Sequence, residues 1–212
     1  MKRTREKRRP TEVRQVELTD AALQIIATRG IAALTTRTLA EHVGLTGGAI
    51  FRHFPSLDAL LDAVVARVET LLDSTYPSAS LPARERLERF IEARSSTVGN
   101  QLGILRLVSS EQFQLALPSA GSIRLGHCAG KTRAFLLSAI RDAQADGTIR
   151  DDVEAAALGV IIMGTMRMLA LSAAKTLPSG RTVEARRVRQ TLAKLLEAPR
   201  RLRRKPPTRR GD

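Results

Sequence analysis

Leu18, Ala21, Ala22, Ile25 and Ile26 recur at i, i+3, i+4, i+7 and i+8, the spacing of one buried face of an α-helix. The pattern stops at Gly30, where a helix end tolerates a residue without a Cβ. A short second helix is predicted next, N-capped by Thr35, with Leu39, Ala40 and Val43 inward and Gly44 at its end. Thr46 can cap a third helix running to about His53. Pro55 blocks its continuation, because proline lacks the donor and clashes with the preceding turn. Ser56 then caps a long fourth helix, with Asp58 in its positive first turn. Its apolar stripe is Leu60, Leu61, Val64, Val65, Val68 and Leu72.

Tyr76–Pro82 is rich in Pro and Ser and marks the clearest boundary. Beyond it, the pattern predicts helices at roughly 83–99, 101–115, 120–145, 152–173 and 182–197. "ALPSAGS" (116–122), "ADGTIRDD" (145–152) and "LPSG" (177–180) separate the later ones. Strand-like alternation is absent, so the chain is expected to be all-α.

Composition agrees with that class. The apolar fraction is 43%, but aromatics are only 3%, so the core must be built from Leu, Ile, Val and Ala, which favours helices over sheets. The net charge of +14 is concentrated at the ends: residues 1–10 carry +5 and residues 200–212 carry +6, leaving +3 for the body. Such runs are often solvated tails, but beside a DNA-binding unit cations strengthen binding by releasing counterions from phosphates. A lone cysteine, Cys128, fits a reducing compartment. The basic start is not followed by an apolar h-region and no apolar run reaches about 18 residues, so a cytoplasmic protein is expected.

Three short helices, with the third following the second across a turn containing Gly44, form the helix-turn-helix pattern, whose later helix enters the major groove. The segments "LTDAALQIIATRG", "LTTRTLAEHVGLTGGAIFRHF" and "PSLDALL" together resemble the TetR family of bacterial transcriptional regulators. The resemblance covers Leu18 to about Leu61. A weaker likeness lies in "ADGTIRDD" and the apolar helix after it.

The resemblance implies an N-terminal three-helix helix-turn-helix domain joined by a long fourth helix to a C-terminal ligand-binding and dimerisation domain. In these terms residues 1–10 are a basic arm, 11–55 the DNA-binding domain, 56–75 the connecting helix, 76–199 the effector and dimerisation domain, and 200–212 a basic tail. It implies a homodimer whose last two long helices form a four-helix bundle with the partner's. It also implies a repressor that a small-molecule effector releases from a palindromic site on double-stranded DNA, so the protein would be nucleoid-associated. The alternative with the same fold is a ligand-independent, chromosome-organising DNA-binding protein.

Carried over by motif position, Thr36 and Arg37 would lie near phosphates and Thr46 would cap the recognition helix. Gly47, Gly48 and Ala49 would face the bases, and Phe51, Arg52 and His53 would approach the backbone. The arm would add Lys2, Arg3, Arg5, Lys7, Arg8 and Arg9. Two residues depart from the family pattern. Phe51 stands where tyrosine is commoner and lacks its hydroxyl, and Leu57 stands where a lysine is usual. The family location of the effector pocket implies Leu105, Arg106, Phe113, Leu117, Phe135, Ile162 and Met166 as lining, with Glu111, Gln112, Arg133 and Arg167 as further polar candidates.

Other chemistry is thin. Cys128 beside His127 is the only pairing that invites a metal or a nucleophile, and without further Cys or His nearby neither is expected. Neither a nucleophile–base constellation nor a phosphate-cradling loop points to an enzyme, and no cofactor is expected. Met163, Met166 and Met168 read as core or dimer packing. Gly159 and Gly164 allow close approach of a helix, from the partner or from the same chain. One puzzle remains: Gly47 and Gly48 open the recognition helix although glycine is a poor helix former with no side chain to read a base.

Overall fold

The computed structural model describes residues 10–100, 104, 111–172 and 178–198. The basic arm residues Lys2, Arg3, Arg5, Lys7, Arg8 and Arg9, the tail 200–212, and Leu105 and Arg106 lie outside them, as do the side chains of Glu111 and Gln112. Among the described residues every regular element is helical. The N-terminal group is α1 (Thr11–Arg29), a 3₁₀ turn at Ile31–Ala33, α2 (Thr36–Val43), α3 (Gly47–Phe51) and α4 (Leu57–Asp73). The C-terminal group is α5 (Ala83–Asn100), α6 (Glu111–Ala116), α7 (Ser119–Ala145), α8 (Ala155–Ser172) and α9 (Pro178–Leu196).

The predicted faces of the first helices are the buried ones. Leu18, Ala22, Ile25 and Ile26 of α1 meet Leu39 and Ala40 of α2, Ile50 of α3, and Leu60, Val64, Val65 and Val68 of α4. Three expected boundaries move. The third helix ends at Phe51, and Arg52 and His53 continue as a turn in which His53 and Phe54 N–H groups both bond Ile50 O. The "AGS" of 116–122 is helical, because Pro118 sits just before α7 and its missing donor costs nothing there. The last helix begins at Pro178, inside the stretch read as a separator, for the same reason: a first-turn proline is preorganised for the helix.

Two apolar clusters form. The first holds α1–α4 and also takes Ile104, Phe113, Leu117 and Leu125, so the C-terminal group shares a core with the N-terminal group. The second joins α5, α7, α8 and α9 through Leu87, Phe90, Leu136, Ile140, Leu158, Ile162, Leu192 and Leu196. Helix α4 bridges the two by packing along α7. Gly121 of α7 marks its close approach: a Cβ there would stand 3.5 Å from Val65 Cγ2 and 3.4 Å from Leu117 Cδ2. Ion pairs Arg124–Glu69 and Lys131–Asp73 reinforce the same seam, and Arg67–Asp20 ties α4 to α1. Among the described residues no helix is long and apolar enough to cross a membrane.

Candidate nucleic-acid interface and effector region

The turn of the helix-turn-helix is fixed by Gly44, at φ 68° and ψ 33°, a left-handed conformation in which a Cβ is strained. Leu45 N–H returns to Ala40 O at 2.9 Å, closing the end of α2. At the other end of α2, Thr35 Oγ1 accepts from Thr38 N–H while Thr38 Oγ1 accepts from Thr35 N–H, a reciprocal capping box made by two threonines. Thr38 Oγ1 also reaches Ala33 O at 2.6 Å, so the same residue anchors the 3₁₀ turn.

Helix α3 has only five residues, too few to stand alone. Thr46 Oγ1 accepts from Ala49 N–H at 3.3 Å, a cap worth about 1 kcal/mol. The two glycines cost up to about 1 kcal/mol each relative to alanine. Burial decides the outcome: Ile50 and Phe54 are 3% and 6% exposed, and each such side chain contributes about 1.5–3 kcal/mol. Gln15 Nε2 further ties α1 to the end of this segment by donating to His53 O at 3.0 Å.

The candidate contact residues lie on α2, on α3 and in the segments that flank α3. Arg37, Thr46, Gly48, Phe51 and Arg52 are exposed, and Thr36, Gly47, Ala49 and His53 are half-buried. Arg37 Nε is held by Glu41 Oε1 at 2.9 Å, a hydrogen bond that raises its pKa further. His53 keeps Nδ1 buried without a hydrogen-bond partner among the described residues. Phe51 and Leu57, the two departures from the family pattern, are both exposed apolar side chains.

Neither recognition-helix glycine has a positive φ. A Cβ at Gly48 would meet nothing within 4 Å, and one at Gly47 would meet only Thr36 Cγ2 at an ordinary 3.7 Å. The fold therefore tolerates alanine at both positions, and the absence of side chains there leaves a smooth, backbone-lined apex.

The residues expected to line an effector pocket divide between the two clusters. Phe113 and Leu117 belong to the first, and Phe135, Ile162 and Met166 to the second. Arg133 and Arg167 are exposed. Sequence reasoning passed over Arg94, which stands with Leu87, Phe90 and Ile91 on the inward face of α5 and is 6% exposed. The signal was present: position 94 continues the apolar register 83, 87, 90, 91 and is filled by a cation. Between α4 and α7 lies a groove of about 510 Å³ lined by Ala66, Glu69, Thr70, Asp73, Arg124, His127, Cys128 and Lys131. Burial and the nearby carboxylates of Glu69 and Asp73 push the Cys128 thiol up, away from thiolate character. Among the described residues no three His, Cys, Asp or Glu side chains converge as metal ligands would.

On the outer side of α8, Ala157, Val160, Ile161, Gly164 and Met168 are exposed and fall on one helical face. Gly159 faces inward instead, where a Cβ would stand 3.8 Å from Leu137 Cδ2. Met166 is buried within the chain, whereas Met163 and Met168 are exposed.

Residues 18–64 match the family described as bacterial regulatory proteins, tetR family. Among characterised proteins, the chain is 26% identical over 152 residues to the HTH-type transcriptional repressor KstR2 of Rhodococcus jostii (strain RHA1), covering 66% of this chain and 70% of that one. It is 36% identical over 84 residues to the nucleoid occlusion factor SlmA of Haemophilus influenzae (strain PittGG), covering 40% of this chain and 38% of that protein's length. Among solved structures, the ketosteroid transcriptional regulator KstR2 of Mycobacterium tuberculosis superimposes with a TM-score of 0.75 at 18% identity, covering 87% of this chain and 95% of that one. The regulator AibR, solved with isovaleryl coenzyme A and operator DNA, superimposes with a TM-score of 0.72 at 16% identity, covering 87% and 98%.

Proposed function

Since the chain is a TetR-family DNA-binding transcriptional regulator, we propose that it acts as a homodimeric repressor released from a palindromic operator by a small-molecule effector. The observation that carries this reading is the start of α3 around Thr46–Ala49: a capped helix start with Thr46 and Gly48 exposed and no side chain at Gly47 or Gly48, joined to α2 through the turn at Gly44. Its N-terminal backbone donors suit a phosphate, and its glycines let the backbone approach the groove wall. Base discrimination then falls to Arg37, Arg52, Thr46 and DNA shape, with the basic arm adding affinity that is independent of sequence.

We assign dimerisation to α8 and α9: the row Ala157, Val160, Ile161, Gly164 and Met168 on α8 is exposed among the described residues, and Val183 and Leu195 on α9 are exposed as well, as apolar interface residues would be. Two subunits related by a two-fold axis would present two α3 helices to successive major grooves. Repression and effector release follow the likeness to KstR2, a repressor, and to AibR, solved with both a coenzyme A thioester and operator DNA. The effector acts by favouring the state in which the two recognition helices no longer match the groove spacing.

The likeness to SlmA, a nucleoid occlusion factor, supports a second reading: a chromosome-organising DNA-binding protein of the same fold that needs no ligand. Footprinting on the DNA flanking the protein's own gene, with and without cell-derived small molecules, separates the two. Repression by release predicts a protected palindrome that a metabolite fraction clears. The second reading predicts protection that no metabolite fraction alters.

A further inference from the structure

Arg94 is a buried cation whose described partners are all neutral. Its Nη2 donates to Thr132 Oγ1 at 3.2 Å, and its guanidinium carbon lies 5.2 Å from the Tyr76 ring centroid and 4.9 Å from that of Phe90. Its Nε is buried with no hydrogen-bond partner among the described residues. Asp73 is near enough to act on it through space, yet that carboxylate is held by Lys131 Nζ at 2.6 Å. Arg86, on the same helix, shows the contrast: it too has a buried, unpartnered Nε, but its Nη2 is paired with Asp142 at 2.8 Å. A guanidinium taken out of water requires an anion in compensation, and cation–π contacts with two rings supply only part of it.

We infer that Arg94 is the anchor for the acidic group of an effector, a carboxylate with an apolar body; the groove between α4 and α7 comes near it through Cys128, whose carbonyl is bonded by Arg94's partner Thr132. The effect on DNA rests on the repressor reading above, whereas the binding itself does not. The planar fork of arginine matches a carboxylate with two parallel hydrogen bonds. Tyr76, Phe90 and Phe135, with ring centroids 4.6 to 5.4 Å apart, supply apolar surface beside it. Lys131, paired with Asp73, lines the groove and lies 4.9 Å from the same Tyr76 ring.

The site also touches the seam that links the two helical groups. Tyr76 lies just beyond α4 and its hydroxyl meets Thr132 Oγ1 at 3.2 Å, while Thr132 on α7 bonds Cys128 O at 3.0 Å. A carboxylate that draws Arg94 away from Thr132 breaks a contact between α5 and α7 beside the segment that follows α4.

Tyr76 is the chain's only tyrosine and there is no tryptophan, so intrinsic fluorescence reports this site alone. The full-length protein is titrated with sodium acetate, butyrate, octanoate and sulfate, and with methyl octanoate as the neutral control. The expected result is a saturable change in Tyr76 emission with octanoate, weaker with the shorter acids, and absent with methyl octanoate. Arg94→Met should melt no lower than the wild type and lose the response. Arg94→Lys, which keeps the charge without the fork, should weaken octanoate binding at least fivefold. An unaltered response in Arg94→Met or Arg94→Lys overturns the inference, as does an equal response to methyl octanoate, a response to sulfate alone, or none to any anion. A lower melting temperature in Arg94→Met makes Arg94 a structural cation and also overturns it. Operator affinity is measured in parallel: Arg94-dependent binding that leaves DNA affinity unchanged removes the release reading and keeps the site, and release that persists in Arg94→Met does the reverse.

Discussion

A methyl group added to Gly47 would stand 3.7 Å from Thr36 Cγ2, an ordinary van der Waals contact between the start of α3 and the start of α2. The chain therefore has room for alanine where it carries glycine, and the same holds with more space at Gly48. Both backbones are in the ordinary negative-φ region. Among the described residues nothing demands these glycines, so their role is referred to the DNA they would face.

Gly48→Ala should stabilise the fold by up to about 1 kcal/mol, read as a higher midpoint in urea. Gly48→Gln should also fold, yet bind the operator more weakly or with altered base preference, because its side chain fills the space between backbone and groove wall. Unchanged affinity and preference across an operator library would remove the smooth-face account.

Restoring the two absent phosphate anchors should strengthen binding. Phe51 and Leu57 are already exposed, so Phe51→Tyr and Leu57→Lys carry little folding cost. Each should raise operator affinity, and Leu57→Lys should steepen the dependence of log affinity on log salt by about one unit. Fluorescence anisotropy over a salt series checks both slopes.

The capping box on α2 is a stability element that also fixes the start of the helix, where Thr36 and Arg37 stand. Thr35→Ala removes the acceptor for Thr38 N–H and should cost about 1 kcal/mol. Thr38→Ala should cost more, since Thr38 Oγ1 serves Thr35 N–H and Ala33 O as well. Denaturant unfolding of the two variants against the wild type gives the comparison.

A charge placed in the apolar row of α8 should separate the subunits. Val160→Glu, at a site 72% exposed in the single chain, leaves the intramolecular core intact and should shift the protein from dimer to monomer in light scattering. Operator affinity should fall by at least tenfold with it, because one α3 alone reads only a half-site.

The Cys128 thiol has its pKa raised, first by burial and then by Glu69 and Asp73. A raised pKa means less thiolate at a given pH, so its reaction with a disulfide reagent near neutral pH should be several-fold slower than that of free cysteine. Denaturant should remove the difference.

The N-terminal group was legible because its signals are local. Periodicity located the buried face of α1, hydroxyl side chains at Thr35, Thr46 and Ser56 located three helix starts, and Gly44 located the turn. The end of α3 was less so, since Arg52 and His53 carry no stop signal of their own and form a turn on Ile50 O ahead of the buried Phe54 and of Pro55. Pro178 misled because a proline reads as a separator although it is tolerated in a first turn. The C-terminal candidates were the least legible. Which of Phe113, Leu117, Phe135 and Ile162 share a cavity depends on how α5 to α8 cross, and no local pattern encodes that. Arg94 was visible as a cation in an apolar register, but its lack of a carboxylate partner emerges only when α5 and α7 are side by side.

The central claim is sequence-specific recognition by a dimer, and a binding selection from a random duplex library at physiological salt tests it most directly. The account predicts that the selected duplexes converge on one two-fold-symmetric site bound about 10³-fold or more tightly than random DNA. Selected duplexes without a shared site, bound no better than random DNA, would contradict it.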